Sequence, residues 1–230
     1  MNKEIAIVED DPIIGANYLD ALRKQGFSVQ LYSNRNTATV AFKKKLPDLV
    51  LLDIGLEDEP DGGFELCRAL RAQSATLTII FLTARDSDLD TISGLRLGAD
   101  DYLTKEVSIP NLCARVSAFF RRMDAYQTPD LNDQILHRGE LDLDKNRFSI
   151  KWKNQAMELT LTEFWMIHAL VRYPGHVRSR EQLMHDAKIV VDDATITSHI
   201  KRIRNKFLSI DPSFTAIDTV YGIGYRWLHH

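Results

Sequence analysis

Four short apolar runs in the first 105 residues each stop at residues able to do chemistry: 4–8 before Glu9-Asp10-Asp11, 48–52 before Asp53, 78–82 before Thr83, and 101–103 shortly before Lys105. Strands that are apolar without alternation are buried on both faces, so helices must cover both sides of a parallel sheet. A further strand fits residues 27–32, and helical periodicity fits 12–24, 36–44, 64–71, 89–97 and 109–123. Five strands alternating with five helices predict a doubly wound α/β domain. Such sheets bind their ligands above the carboxyl ends of the strands, so the four chemical strand ends are expected to form one site.

The periodicity fails over residues 124–136, where polar residues and Pro129 dominate. This stretch reads as a linker between a domain at 1–123 and another at 137–230, each long enough for its own core. The second half changes pattern. Alternating segments at 139–143, 147–152 and 156–159 suit a small antiparallel sheet, and a helix at 162–172 is stopped by Pro174-Gly175. Ser179 with Gln182 forms a capping box for a helix reaching about residue 187. A third helix over 194–209 buries Ile196, Ile200, Ile203 and Phe207, and a hairpin with Gly222 and Gly224 in its turn region closes the chain. Helices followed by a hairpin predict a winged helix-turn-helix.

Charge helps in the second half only locally. The net charge is −3, and residues 124–230 balance, but the third helix holds Lys201, Arg202, Arg204 and Lys206 without an acid, a face of the kind that meets phosphate. Its exposed side would read the major groove through Thr195, Thr197, Ser198, Lys201, Arg202 and Lys206, with Arg226 at the base of the hairpin. No apolar run is long enough to cross a bilayer and no signal peptide is evident, so a cytoplasmic location and no membrane partner are expected. Cys67 and Cys113 sit in helical apolar patterns and read as packing residues.

Three carboxylates gathered from Asp10, Asp11 and Asp53 repel one another unless a cation screens them. A hard divalent ion such as Mg²⁺ is implied, and it typically shares its site with a phosphoryl group. Asp53 is then the nucleophile that takes the phosphoryl group, Thr83 hydrogen-bonds one phosphoryl oxygen, and Lys105 neutralises another. Asp10-Asp11 before Pro12 also suits helix capping, and neither Thr83 nor Lys105 points anywhere alone; their joint placement carries the reading.

These residues carry a resemblance. Ile7-Val8-Glu9-Asp10-Asp11, Leu51-Leu52-Asp53, Leu82-Thr83-Ala84-Arg85 and Gly98-Ala99-Asp100-Asp101-Tyr102-Leu103-Thr104-Lys105 resemble the CheY-like, flavodoxin-like receiver domain of bacterial response regulators. With Leu161-Thr162-Glu163-Phe164, Ser179-Arg180-Glu181-Gln182-Leu183, Ser198-His199-Ile200-Lys201-Arg202-Ile203-Arg204 and Gly222-Ile223-Gly224-Tyr225-Arg226, the whole chain resembles the OmpR/PhoB winged-helix transcription factors. The resemblance implies a sensor histidine kinase as donor to Asp53, Mg²⁺ held by Asp11, Asp53 and the Gly55 carbonyl with Asp10 assisting, and no enzymatic activity beyond phosphorylation and dephosphorylation of Asp53. Thr83 and Tyr102 would be the switch pair. Asp100, Asp101, Arg115 and Arg122 would lie on a homodimer face, and Arg204, Tyr221 and Gly222 would join the promoter-DNA contacts, the hairpin acting as a wing. The loop at 188–193 would meet RNA polymerase.

The sequence also departs from the family pattern. The loop after Asp53 is longer by about two residues and strongly acidic, Glu106 stands where proline usually follows the lysine, and Ala194 and Tyr221 replace basic residues. Two other readings remain open on the residues. One is a phosphorylation-independent DNA-binding regulator. The other is an aspartyl-phosphate phosphatase, which usually carries a second aspartate two residues after the nucleophile, where this chain has Gly55.

Overall fold

The computed structural model describes residues 3–56, 59–125, 135–187 and 189–228. The chain divides into two compact units, residues 1–117 and 118–230. The strands of the first are β1 (Glu4–Val8), β2 (Ser28–Tyr32), β3 (Leu49–Leu52), β4 (Thr78–Thr83) and β5 (Asp101–Thr104), all parallel, in the order β2-β1-β3-β4-β5. The helices are α1 (Pro12–Lys24), α2 (Arg35–Lys44), α3 (Gly62–Gln73), α4 (Asp88–Arg96) and α5 (Ile109–Ala125), and the division between the units falls within α5.

Central strands β3 and β4 are buried at every position, which is why they read as unbroken apolar runs. Register then places the site. Val8 lies opposite Leu52 and Leu52 opposite Phe81, so Glu9 and Asp53 leave the sheet side by side and Thr83 follows one strand over. Helix α1 starts at once because Pro12 sits in its first turn and the Asp11 carboxylate accepts from the N–H groups of Ile13 and Ile14 at 2.8 and 3.0 Å. At α3 the approach is closer still. A Cβ on Gly63 would lie 2.0 Å from the Asp53 carbonyl oxygen, so only glycine lets that helix begin against the strand end.

In the second unit β6 (Ile135–Arg138), β7 (Leu141–Asp144), β8 (Ser149–Trp152) and β9 (Gln155–Met157) form an antiparallel sheet. Then come α6 (Leu161–Val171), β10 (Arg178–Ser179), α7 (Arg180–Ala187), α8 (Asp193–Ile210), β11 (Ile217–Val220) and β12 (Gly224–Trp227), with the three late strands ordered β10-β12-β11. Ile196, Ile200, Ile203 and Phe207 of α8 are buried as their spacing predicts, and Phe207 stacks on Phe214 at 4.2 Å. Each such side chain contributes on the order of 1.5–3 kcal/mol by burial. The Ser179–Gln182 capping box is present, with both reciprocal bonds at 3.0 and 3.1 Å.

Two details differ from expectation. Strand β6 starts inside the stretch expected to be linker, pairing Ile135 with Asp144 and Leu136 with Leu143; residues 126–134 of that stretch lie outside the described residues. Gly224 is not a turn residue but the first of β12, where a Cβ would meet the Arg178 carbonyl oxygen at 1.9 Å; the turn's left-handed position belongs to Gly222, φ 76°.

Candidate functional site

At the carboxyl end of the sheet, Asp53 is buried and engaged at both oxygens. Its Oδ1 accepts from the Ile54 N–H at 2.6 Å, and its Oδ2 accepts from Lys105 Nζ at 2.6 Å. Lys105 also donates to Glu9 Oε1 at 2.8 Å. Burial would lower the lysine's pKa, but its bonds to Asp53 and Glu9 outweigh that, and it stays charged above its ordinary value. Lys105 reaches both acids from the end of β5, and no cis peptide occurs among the described residues.

The acid pair is not the one expected. Carboxylate oxygens of Glu9, Asp10 and Asp53 lie within 4.8 Å of one another, whereas Asp11 is exposed and its Oδ1 caps α1. Register decides this: β1 ends level with β3, so the first two residues beyond Val8 sit beside Asp53 and the third has already entered the cap. Burial pushes the Glu9 carboxyl up from 4.5 to about 7; the Lys105 hydrogen bond opposes and the Asp53 charge adds to it. Three oxygen donors with one resisting ionisation are a set that a hard dication fits, because its charge would relieve the repulsion. Glu9 was legible in the sequence as part of the acidic triplet but was not assigned a role; the strand register is the signal that selects it.

Thr83 is buried, and its Oγ1 accepts from the Arg85 N–H at 3.3 Å. Tyr102 is also buried, with its hydroxyl donating to the Arg85 carbonyl at 3.0 Å, so the ring already lies inside. Burial, with the nearby Asp90 charge adding, drives the Tyr102 hydroxyl well above its ordinary pKa, keeping it a donor.

Of the residues expected on a dimer face, the two acids are engaged within the chain. Asp100 is fully buried, accepting from Arg71 Nη2 at 2.7 Å and from the Ile79 N–H at 3.0 Å. Asp101 is fully buried as well, paired within the chain to Arg115 Nη1 at 2.8 Å. Asp101 opens β5 and Asp100 immediately precedes it, so both are drawn into the packing of that strand's amino end. The side chain of Arg122 lies outside the described residues.

On α8 the basic residues divide into two groups. Lys201 is exposed, as are Thr197 and Asn205, and Ser198 is half-buried. Thr195, by contrast, is fully buried beside Ile196 and does not face outward. Arg202 and Lys206 turn toward buried Glu163 of α6: Arg202 Nε bonds Oε1, and Lys206 Nζ bonds Oε2 at 2.7 Å. Glu163 also accepts from the Thr160 N–H at 2.8 Å, completing the capping box. Despite its burial, the Arg202 and Lys206 charges hold this carboxyl down at about 2. Arg204 donates to the Ile217 carbonyl at 2.9 Å and to Thr219 Oγ1 at 2.7 Å, and Arg226 pairs with Asp218 at 2.8 Å. These cations hold α8 to α6 and brace the hairpin. On the same helix Thr197, Lys201 and Asn205 are exposed and Ser198 half-buried, and at the hairpin tip Tyr221 is 92% exposed next to Gly222. Asn205 carries no distinctive sequence signal, and only its exposure on α8 brings it into view. Tyr225 Oη lies 3.3 Å from Thr197 Oγ1, joining hairpin and helix.

Comparison with known proteins agrees in both halves. Residues 5–117 match the response regulator receiver domain, and residues 154–227 match the C-terminal domain of transcriptional regulatory proteins. The chain is 36% identical over 223 residues to the transcriptional regulatory protein CreB of Escherichia coli K12, covering 95% of each chain. It is 36% identical over 232 residues to the phosphate regulon transcriptional regulatory protein PhoB of Rhizobium meliloti, covering 98% of each. Among solved structures, the Thermotoga maritima OmpR/PhoB homologue DrrB aligns with a TM-score of 0.52 at 27% identity, over 99% of this chain and 100% of that one. A RitR mutant shares the fold at a TM-score of 0.75 with 24% identity, over 100% of both chains.

Proposed function

The chain belongs to the OmpR/PhoB family of two-component response regulators, and we propose that Asp53 is the residue through which it is switched. The observation that carries this reading is the contact of Lys105 Nζ with Asp53 Oδ2 at 2.6 Å, beside the acids Glu9 and Asp10. Asp53 is held by the Ile54 N–H and Lys105, so its carboxylate is oriented before any donor arrives. A carboxylate oxygen of Asp53 attacks the phosphorus of a phosphohistidine on the partner kinase; the new P–O bond forms as the P–N bond breaks, and the imidazole leaves with its electron pair. The Lys105 ammonium neutralises charge on the transferred group, and the Thr83 hydroxyl, released from the Arg85 N–H, donates to another of its oxygens. Mg²⁺, for which Glu9, Asp10, Asp53 and the Gly55 carbonyl are the candidate ligands, would supply screening of the acids and of the phosphoryl oxygens.

In this reading residues 1–123 are the receiver, 124–136 the linker and 137–230 the output domain. The output domain binds promoter DNA with Thr197, Ser198, Lys201 and Asn205 of α8 in the major groove and Tyr221 and Gly222 of the wing beside it. Phosphorylation promotes a homodimer on paired half-sites, where linked domains gain effective concentration, and the loop before α8 meets RNA polymerase. The chain works in the cytoplasm, and no described helix is long and apolar enough to cross a membrane.

The test is incubation of the full chain with a small phosphodonor and Mg²⁺, read by intact mass. A single phosphoryl adduct that vanishes in Asp53→Asn supports the reading. No adduct, with DNA binding intact, favours a phosphorylation-independent regulator instead.

A further inference from the structure

Arg85 stands at the junction of five segments: β4, β5, α4, the loop after Asp53 and α3. Its N–H donates to Thr83 Oγ1 at 3.3 Å and its carbonyl accepts from Tyr102 Oη at 3.0 Å, so the backbone of one residue links the two side chains. Its guanidinium forks. Nη1 lies 3.2 Å from Asp90 Oδ1 on α4, while Nη2 lies 3.1 Å from Asp61 Oδ1 and donates to the Pro60 carbonyl. The guanidinium also stands 5.9 Å from the centre of the Phe64 ring on α3. Asp90 is itself fixed, because Ser87 Oγ both caps its N–H at 3.1 Å and donates to its Oδ2 at 2.5 Å.

Pro60 and Asp61 close the long acidic loop that follows Asp53, and two of its described acids meet cations on two sides. Glu59 pairs with Arg35 of α2 at 2.6 Å, and Asp61 pairs with Arg85. The inward Tyr102 ring depends on Gly94 of α4, where a Cβ would come within 3.0 Å of Tyr102 Cδ2 and 2.9 Å of Phe81 Cδ2.

The geometry points to Arg85 as a positioning residue that ties the loop after Asp53 to α4 and releases both together when Thr83 turns toward a phosphoryl group. This rests on Asp53 being the phosphoacceptor. Staggered rotamers of Thr83 are well separated, so a turn toward Asp53 carries Oγ1 away from the Arg85 N–H and frees the amino side of the Arg85 backbone. The fork must then span Asp61 and Asp90 from a displaced backbone. Ion pairs this exposed are individually weak, so the displaced fork gives way rather than resisting. The extra length and acidity of the loop thereby become part of the switch.

Hydrogen exchange by mass spectrometry on the full chain, with and without Mg²⁺ and beryllofluoride as the phosphoryl mimic, tests this. In the unmodified chain beryllofluoride should raise exchange several-fold in residues 59–63 and 88–93 together. Arg85→Ala should show that faster exchange in both segments beforehand, with little further change on adding the mimic. Asp61→Asn should loosen the loop alone, and Arg85→Lys, whose single amine cannot span both acids, should restore only one segment. Wild-type exchange in either segment of Arg85→Ala, or a mimic response confined to one segment, overturns the coupling. Absence of any protection by the mimic around residues 53, 83 and 105 overturns the phosphoacceptor reading itself, an outcome distinct from failure of the Arg85 fork.

Discussion

Lys105 Nζ lies 2.6 Å from Asp53 Oδ2, so the cation that would meet an incoming phosphoryl group is already paired with the acceptor. Removing it takes away a preorganised charge and leaves Glu9 and Asp53 facing each other. Lys105→Ala is expected to slow formation of the Asp53 adduct by about 10²-fold, the scale of losing one preorganised donor. Time-resolved intact mass with a small phosphodonor measures it, and an unchanged rate would remove Lys105 from the mechanism.

Glu9 should make any metal binding by the pocket pH-dependent. Its folded pKa is raised from 4.5 to about 7, chiefly by burial, so between those values the folded chain holds a proton that the unfolded chain has lost. Without metal, its contribution to stability is therefore fully present below 4.5 and fades as pH rises towards 7. Mg²⁺ competes with that proton, so binding should tighten from pH 6 to pH 8 and release a proton at the lower value. Titration calorimetry in two buffers of different ionisation heat reads both effects. Glu9→Gln should flatten the pH dependence, and equal affinities at pH 6 and 8 in the unmodified chain would refute the assignment.

How much of this the sequence disclosed depended on what kind of information each feature needed. The buried strands β3 and β4 were plain from their unbroken apolar runs, and α8 from Ile196, Ile200, Ile203 and Phe207, because periodicity is local. Asp53 and Lys105 stand out in the sequence because one directly follows a strand and the other lies just past one, and the structure brings them together. The choice among Glu9, Asp10 and Asp11 was not local: it turns on the register of β1 against β3, which no composition reveals. The same holds on α8. Four cations on one helix read as a DNA face, and no local signal tells that Arg202, Arg204 and Lys206 also bond Glu163, Ile217 and Thr219.

Thr195 separates a reading role from a packing role. Its side chain is fully buried and its Oγ1 has no hydrogen-bond partner, so an apolar group of the same shape costs nothing in lost bonds. Thr195→Val is expected to leave DNA affinity unchanged and to hold or raise Tm. A large affinity loss in that variant would return the residue to the DNA face.

Lys201 should behave in the opposite way. It is exposed, so Lys201→Ala should alter stability by less than about 0.5 kcal/mol. If it meets a phosphate, the slope of log affinity against log salt should shrink by about 0.9. Gel-shift titrations at several salt concentrations supply the slope, and an unchanged slope would place Lys201 off the DNA.

Arg202→Ala should weaken DNA binding too, but through folding. It strips one of two cations from a fully buried carboxylate, and breaking a buried pair of this kind costs on the order of 3 kcal/mol, reduced here because Lys206 stays. Glu163 also sets an acid limit. Its pKa falls from 4.5 to about 2, since the Arg202 and Lys206 charges overcome the burial that would raise it; its stabilisation is therefore present above 4.5 and lost as pH drops towards 2. The chain's three tryptophans, Trp152, Trp165 and Trp227, all lie in the second unit, so their fluorescence follows this unit alone. Arg202→Ala should move the acid transition of that signal to higher pH. Should the transition stay in place while DNA affinity still falls, Arg202 acts at the DNA directly rather than by holding α8 on α6.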